Sequence, residues 1–144
     1  MKSTGYKMRI LLDTNILINW LVEKNTKHKE ANRLIFSCFL EGVQGYVTSH
    51  SLTDAFYVLR KYHPSTKDRQ KFIRFMVQHF TILTEDSNDF LAVLNAEDFF
   101  DLEDGLQIRC AQKANLDYIV TENLKDFKNS SVPTIDIDEA LAII

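Results

Sequence analysis

The sequence predicts an α/β fold in which helices cover a mostly parallel β-sheet. Short apolar runs that fit buried strands alternate with segments whose apolar residues recur at helical spacing. No Asn-Gly or Asp-Gly turn joins two candidate strands, which favours parallel strands connected through helices. The 144 residues, 45% of them hydrophobic, suit a single soluble domain over 1–144, with residues 1–7 as a short N-terminal tail.

The first half of the chain contains two strand candidates separated by helices. "RILLD" fits a buried strand, and Thr14 or Asn15 is the candidate cap of the helix "TNILINWLVEKN". The helix "KHKEANRLIFSCFLEG" is expected to end at Gly42, before the strand "GYVTS". Two further helices follow: "SLTDAFYVLRKYH" and, after a cap at Ser65 or Thr66, "KDRQKFIRFMVQH".

The second half continues the alternation. "FTILT" is a third strand, "SNDFLAVLNAED" and "DLEDGLQIRCAQKAN" are helices, and "DYIVT" is a fourth strand. "PTIDI" and "DEALAII" close the chain as a strand and a helix. Asp13, Thr48 and Thr121 stand at strand ends. Because ligands of parallel sheets gather beyond the carboxyl ends of the strands, we expect these three residues to meet at one edge.

Composition and charge indicate where the protein is located and what kind of ligand it could bind. No apolar run reaches the roughly 18 residues of a membrane span, and "MKSTGYKMRI" contains no signal core, so a cytoplasmic protein is expected. Cys38 and Cys110 are expected to be reduced core residues. Residues 75–108 contain many acids and no Lys or Arg, whereas residues 60–74 are mainly basic. The blocks fit an acidic cation site beside a phosphate-contacting surface, and solvated helix faces explain them equally well.

Oxygen-bearing side chains recur at the predicted edge of the sheet. Asp54 lies about one and a half turns into the helix after the second strand. Asp101 and Asp104 share a helix face, whereas Glu103 points to another side. Converging carboxylates repel one another, and Mg²⁺ relieves this repulsion while it couples carboxylates to phosphates. The candidate oxygen ligands are Asp13, Asp54, Asp101, Asp104, Asn123 and Asp126.

Each signal also has an ordinary structural explanation when it is taken alone. Asp101 and Asp104 resemble a helix cap with an acidic third position, and Asp13 fits a turn and cap. Asp54 fits a solvated helix residue. The four histidines show no metal-ligand spacing, and the sequence contains no phosphate-binding Gly loop. The joint placement at one edge therefore carries the functional hypothesis.

Three segments, "LLDTNILI", "SLTDAFYVLRK" and "DLEDGLQIRCAQKANLDYIVTENLKDF", together resemble the motifs of the PIN-domain family. This family of small metal-dependent ribonucleases includes the VapC-like toxins of bacterial toxin–antitoxin pairs. The resemblance extends from about Met8 to the C-terminus. It implies a three-layer α/β/α sandwich, hydrolysis of RNA phosphodiester bonds, and Mg²⁺ or Mn²⁺ as cofactor. It also implies a homodimer and, for a toxin, a small antitoxin protein as partner.

The resemblance assigns roles to individual residues. Asp13, Asp54 and Asp104 would hold the metal ion directly or through water. Asn123 and Asp101 would support it. The residues that would orient carboxylates or the scissile phosphate are Thr14, Asn15, Thr121 and Asp126. The candidates for contact with the RNA backbone are Arg60, Lys61, Lys67 and Arg69.

The sequence departs from the family pattern at three positions. Asp54 stands where Glu is usual, which withdraws the carboxylate by one methylene. Asn123 stands where Asp is frequent, so the site carries less charge. Gly105 replaces a frequent Ala at a helix cost of about 1 kcal/mol.

Two competing hypotheses stay open at this stage. The departures favour a PIN-like module that binds RNA or protein without cutting. A phosphohydrolase acting through an aspartyl-phosphate on Asp13 would need a second Asp two residues later, where Asn15 stands.

Overall fold

The computed structural model describes residues 7–39 and 42–144. Within these ranges lie five strands: β1 (Met8–Leu12), β2 (Val43–Thr48), β3 (Thr81–Leu83), β4 (Tyr118–Val120) and β5 (Thr134–Ile135). The same ranges contain seven α-helices: α1 (Thr14–Leu21), α2 (His28–Ser37), α3 (Ser49–Val58), α4 (Thr66–His79), α5 (Ser87–Leu94), α6 (Leu102–Lys113) and α7 (Ile137–Ile143). Short 3₁₀ helices cover Leu59–Lys61 and Leu124–Phe127. Of the tail predicted over residues 1–7, all but Lys7 lies outside the described residues.

All five strands run parallel, in the order β3-β2-β1-β4-β5, which confirms the predicted α/β class. β1 lies in the centre and pairs with β2 on one side and with β4 on the other. The chain therefore leaves β1 toward β2 and β3, and returns to the opposite side of β1 with β4. This reversal opens a crevice at the carboxyl ends of β1 and β4, where open parallel sheets bind their ligands.

Alternating side chains of the sheet enter two separate cores. Ile10 and Leu12 of β1 pack on one face, together with apolar residues of α1, α2, α3, α4 and α7. Leu11 enters the opposite face, where it packs with Ala111 of α6 and with Phe127. Because successive residues of a strand face opposite sides, a strand buried on both faces needs an unbroken apolar run. The two cores make the molecule a three-layer α/β/α sandwich.

Acidic residues cap two helices at the carboxyl edge of the sheet. Asp13, rather than the predicted Thr14 or Asn15, is the N-cap of α1, and its side chain accepts a hydrogen bond from the Thr14 backbone N–H. Asp101 is the N-cap of α6 and accepts from the Asp104 backbone N–H, as the capping interpretation of this pair predicted. Both caps place their helix starts directly beside the crevice.

The start of α4 agrees with the prediction, whereas the end of α2 does not. Ser65 caps α4 as predicted, by accepting from the Asp68 backbone N–H. Helix α2 ends at Ser37, ahead of the predicted end at Gly42, and residues 40 and 41 lie outside the described residues. Gly42 has a φ of 96°, a conformation that favours glycine, and its carbonyl accepts the first hydrogen bond of β1 from Met8.

Two expectations from composition concern the membrane and the cysteines. No helix in the ranges that the structure describes is long and apolar enough to cross a membrane. Cys38 and Cys110 are buried free thiols, as predicted. Burial raises the pKa of each thiol to about 12, so both stay neutral packing residues near neutral pH.

Gly105 allows a close approach between α5 and α6. A Cβ added at Gly105 would lie 2.5 Å from Cγ1 of Val93, which is 8% exposed. The glycine therefore has a packing function, in addition to the helix propensity that it sacrifices relative to alanine. This contact also fixes the position of α6, which carries Asp104.

We expect Gly105→Ala to lower the free energy of unfolding by about 1–3 kcal/mol, because the new methyl group overpacks the contact with Val93. Helix propensity alone predicts the opposite, a gain of about 1 kcal/mol. Urea unfolding of the purified chain measures the difference. In the matched control, Val93→Ala makes room for the methyl group, so Gly105→Ala should cost less in that background; an equal cost in both backgrounds contradicts the packing role.

Candidate active site

Four acidic side chains and the Asn123 amide line one open cleft at the carboxyl edge of the sheet. The cleft has a volume of about 430 Å³. Asp13 follows β1, Asp54 lies on α3, Glu103 and Asp104 lie on the first turn of α6, and Asn123 follows β4. The remaining lining residues are Thr14, Asn15, Ile18, Tyr57 and Val58. Segments far apart in the chain thus bring Asp13, Asp54 and Asp104 to the edge where the sequence predicted them.

Asp13 is the most deeply buried acid of the cleft, at 5% exposure. Its Oδ1 accepts hydrogen bonds from the Thr14 backbone N–H at 2.9 Å and from Gln107 Nε2 at 2.8 Å. Its Oδ2 accepts from Thr121 Oγ1 at 2.8 Å and from Asn15 Nδ2 at 3.3 Å. Four donors from three segments of the chain therefore hold this carboxylate in one orientation, which compensates for its loss of water.

Thr121 and Asn15 also connect the loop after β4 to α1. Thr121 is fully buried, and its Oγ1 accepts from Asn15 Nδ2 and from the Asn123 backbone N–H, each at 3.1 Å. Asn15 Oδ1 accepts from the Glu122 backbone N–H at 3.2 Å. The two residues thereby position Asn123 at the cleft as well as Asp13.

Glu103 lies in the cleft, which corrects the expectation that it points to another side of its helix. It forms a side-chain hydrogen bond with Asp54. Partial burial, and then this bond and the Asp54 charge, raise the pKa of Glu103. Its Oε2 also lies 4.0 Å from Nε2 of His50, whose Nδ1 is 2.9 Å from Glu85 Oε1. Sequence spacing on α6 did not reveal Glu103.

Burial and the charges of neighbouring acids both disfavour the ionised form of Asp104. Burial, and then the charges of Asp101, Asp13, Asp126 and Glu103, raise the pKa of the Asp104 carboxyl to about 7. A carboxyl group near half ionisation at neutral pH favours a cation or a proton beside it. The cleft is therefore electrostatically suited to a positive ligand.

Asp101 and Asp126 lie outside this cleft. Both line a neighbouring cavity of about 220 Å³ between α5, α6 and the segment after β4, and Asp104 borders both spaces. Asp101 is occupied as the cap of α6. The two acids thus act on the cleft through their charge on Asp104, and the structure does not group them with Asp13 and Asp54.

Of the four basic residues predicted to contact RNA, Arg60, Lys61 and Lys67 are exposed, whereas Arg69 is buried. Arg60 stacks on the ring of Tyr57 at 4.1 Å, Lys61 lies 6.0 Å from the ring of Tyr62, and Lys67 is exposed on α4. Tyr57 is 65% exposed and lines the cleft.

Arg69 corrects the prediction of a surface contact, because its side chain is buried at 8% exposure. It donates to the carbonyls of His63 at 3.0 Å and Pro64 at 3.4 Å, and it lies 4.7 Å over the ring of Phe56. These bonds satisfy carbonyls at the end of the turn after α3. Arg69 is therefore a structural residue that joins α4 to α3.

A buried amide, that of Gln107, and a buried hydroxyl, that of Ser51, lie beside the acids, and the sequence patterns did not reveal them. Gln107 is fully buried on α6, where it stands one turn after Asp104. Ser51, also fully buried, lies 3.1 Å from Gln107 Nε2 and 2.7 Å from Thr14 Oγ1. The three-residue spacing from Asp104 to Gln107 was an available signal, because residues three apart share a helix face.

The donor set of the cleft suits a hard divalent cation. Carboxylate and amide oxygens are the ligands that Mg²⁺ and Mn²⁺ prefer, and the raised pKa values of Asp104 and Glu103 indicate excess negative charge. Among the described residues, no three His, Cys, Asp or Glu side chains are already arranged as a complete metal site. The chemistry of the residues fits the ion, and ion binding would draw the side chains together.

The sequence matches the model of a known family. A family model described as PIN domain matches residues 9–125, and the chain belongs to this family. The resemblance seen in the sequence motifs is thereby confirmed. A search of curated proteins found no match.

Solved structures agree on the fold. The chain is similar to a toxin-antitoxin complex from Klebsiella pneumoniae (TM-score 0.65, 23% identity, covering 89% of this chain and 97% of that chain). It is similar to VapBC-1 from nontypeable Haemophilus influenzae (TM-score 0.67, 17% identity, covering 91% and 99%). It is also similar to Mycobacterium tuberculosis VapC20, a sarcin-ricin loop cleaving toxin (TM-score 0.63, 12% identity, covering 76% and 86%).

We expect the metal-free protein to lose stability as the pH rises, in part because of Asp104. The pKa of this carboxyl is raised to about 7 in the folded chain, above its unfolded value of about 3.9. Its contribution is therefore fully present below about pH 4 and is lost as the pH rises through about 7. Asp104→Asn should flatten this decline.

Urea unfolding in a chelator from about pH 5 to about pH 8 measures the effect. Glu97→Gln removes an exposed acid outside both cavities and serves as the matched control. The assignment fails if wild type and Asp104→Asn lose the same free energy of unfolding across this range.

Proposed function

We propose that this protein is a Mg²⁺- or Mn²⁺-dependent endoribonuclease and the toxin of a toxin–antitoxin pair. One observation carries the proposal. The chain is a member of the PIN domain family, and acids from the end of β1, from α3 and from α6 converge on one cleft at the point where the strand order reverses. The VapC20 structure, described as a toxin that cleaves the sarcin-ricin loop, supports RNA as the substrate class.

Asp13, Asp54 and Asp104 are the residues proposed to hold the ion directly or through water. Asn123 offers a neutral amide oxygen at the same cleft. Glu103, hydrogen-bonded to Asp54, supplies the longer carboxylate that position 54 lacks. When bound, the cation neutralises these carboxylates and acts as a Lewis acid toward the phosphodiester.

The other residues of the cleft position the reacting groups. Thr14, Asn15 and Thr121 hold the Asp13 carboxylate and the loop that carries Asn123. A carboxylate of the cleft that does not contact the ion directly would orient the attacking water. Asp101 and Asp126 act on the charge of Asp104 from the neighbouring cavity.

A stacking surface beside the cleft supports single-stranded RNA as the substrate. The exposed ring of Tyr57 lines the cleft, with the Arg60 guanidinium stacked on it. An aromatic ring offers a base-stacking face, and an adjacent cation attracts the phosphate backbone. Lys61 and Lys67 are further exposed cations that could contact the phosphate backbone.

Two protein partners belong to the proposal. Structures of toxin–antitoxin complexes with the same fold support a small antitoxin as one partner. The exposed apolar side chains of Phe90, Leu91 and Leu94 on α5 support a homodimer as the second association.

We expect Asp104→Asn to lower the rate of Mn²⁺-dependent RNA cleavage by about 100-fold or more, because it removes a carboxylate from the proposed metal site. Glu103→Gln should impair cleavage more than Asp101→Asn, because Glu103 lines the cleft and Asp101 does not. Cleavage of a fluorescent single-stranded RNA, with circular dichroism to check folding, provides the measurement.

The control is Asp138→Asn, which removes an acid on α7 that pairs with Lys27 and lies outside the cleft. Asp13→Asn is the less clean substitution, because an amide nitrogen in place of either carboxylate oxygen would face two of the four hydrogen-bond donors. A folded wild-type chain that cleaves no RNA with any divalent cation, yet binds RNA, would establish the binding module instead.

We expect Arg60→Gln to weaken binding of single-stranded RNA and to reduce the slope of binding against salt concentration by about one. Fluorescence anisotropy in the cleavage-deficient Asp104→Asn background measures both quantities. Arg69→Gln is the contrasting variant: it should lower thermal stability and leave the salt slope unchanged, because Arg69 is buried against His63 and Pro64. If Arg69→Gln reduces the salt slope and Arg60→Gln lowers only the thermal stability, Arg60 is not the residue that contacts the RNA backbone.

A further inference from the structure

Gln107 places a fully buried amide between two parts of the candidate active site. Its Nε2 donates one hydrogen to Asp13 Oδ1 at 2.8 Å and the other to Ser51 Oγ at 3.1 Å. Its Oε1 is buried and has no hydrogen-bond partner among the described residues. Both donors of the amide are thus committed to the acidic side, and the acceptor is left without a bond.

These contacts determine the orientation of the amide. If the nitrogen and oxygen of Gln107 were exchanged, the amide oxygen would lie 2.8 Å from the Asp13 carboxylate. Two acceptors would then face each other without a hydrogen between them. The amide therefore holds one orientation, and in that orientation it fixes Oδ1 of Asp13.

The Ser51 hydroxyl extends the effect of Gln107 to the far side of the cleft. Ser51 Oγ accepts from Gln107 Nε2 and from Thr48 Oγ1 at 2.9 Å, which fills its two lone pairs. Its own hydrogen is then directed to Thr14 Oγ1 at 2.7 Å. Thr14 Oγ1 in turn donates toward Glu103 Oε2 at 3.4 Å. A directed series of hydrogen bonds runs from Gln107 to Glu103.

We propose that Gln107 is a positioning residue that sets the Asp13 carboxylate and, through Ser51 and Thr14, the Glu103 carboxylate for a divalent cation. This inference rests on the proposed function. Gln107 lines neither cavity, so it acts through these side chains and not by contact with the ion or with RNA. Groups that orient metal ligands from behind commonly change metal affinity or activity by about 10–100-fold when they are removed.

The test measures Mn²⁺ binding by isothermal titration calorimetry with the full chain. Gln107→Leu and Gln107→Met keep the volume of the side chain and remove its hydrogen bonds. We expect the Mn²⁺ dissociation constant to rise about 10–100-fold in both variants. Turnover at low Mn²⁺ should fall and should recover in part as Mn²⁺ is raised, with the KM for RNA unchanged.

Two controls separate positioning from general damage. Gln112→Leu makes the same substitution on the same helix at an exposed residue and should leave Mn²⁺ binding unchanged. In an Asp13→Asn background, Gln107→Leu should weaken Mn²⁺ binding far less than in wild type, because its main target is already altered. Equal losses in the two backgrounds overturn the proposal, as does wild-type Mn²⁺ affinity in both Gln107 variants.

A measurement on the metal-free chain covers the case in which neither variant folds. The side-chain NH₂ protons of Gln107 should exchange slowly with solvent in nitrogen-15 spectra and should shift in Asp13→Asn. Fast exchange or an unchanged shift overturns the positioning role. A wild-type chain that neither binds Mn²⁺ nor cleaves RNA contradicts the proposed function itself, whereas unchanged Mn²⁺ binding in the variants contradicts only the role of Gln107.

Discussion

The burial of the Asp13 carboxylate is the constraint on which the rest of the site depends. A buried carboxylate is costly unless hydrogen-bond donors replace its water, and here the donors come from α1, α6 and the residue after β4. Satisfying one acid therefore requires three distant segments to meet. The same bonds link α1, α6 and the end of β4 at the crevice. The site and the fold are stabilised by one set of bonds.

Two other acids of the cleft are destabilised in their ionised form. Burial, and then the charges of neighbouring acids, oppose the ionisation of Glu103 and Asp104, which raises the pKa of each carboxyl group. In the metal-free protein, the raised pKa values of Glu103 and Asp104 favour the protonated forms of these two carboxyl groups, and the Asp104 carboxyl is half ionised at about pH 7. A cation that replaces these protons would convert repulsion into attraction. A rigid, fully bonded acid at the centre and repelling acids around it suit a site that tightens when its ligand arrives.

Sequence patterns predicted the fold because the sheet and the helices each have a recognisable pattern of apolar residues. Apolar runs such as "RILL" mark strands buried on both faces, and parallel strands bring Asp13 and Thr121 to one edge. The sequence patterns placed Asp101 in the cleft and Glu103 outside it, whereas the structure shows the reverse. Which of the two acids enters the cleft depends on the rotation of α6 about its axis, and sequence spacing does not determine that rotation. Packing at Gly105 against Val93 influences that rotation, and the contact joins residues of different helices. Arg69 was misplaced for a related reason, because the carbonyls that draw it inward come from a neighbouring turn.

The strand order has a consequence for synthesis of the chain. Thr121 donates to Asp13 across 108 positions of sequence, and β4 joins the sheet beside the strand that was made first. A growing polypeptide that has not yet emerged past Thr121 lacks one of the donors that hold Asp13, and it lacks Asn123. This order delays the assembly of the cleft until the segment that contains Thr121 and Asn123 has been synthesised.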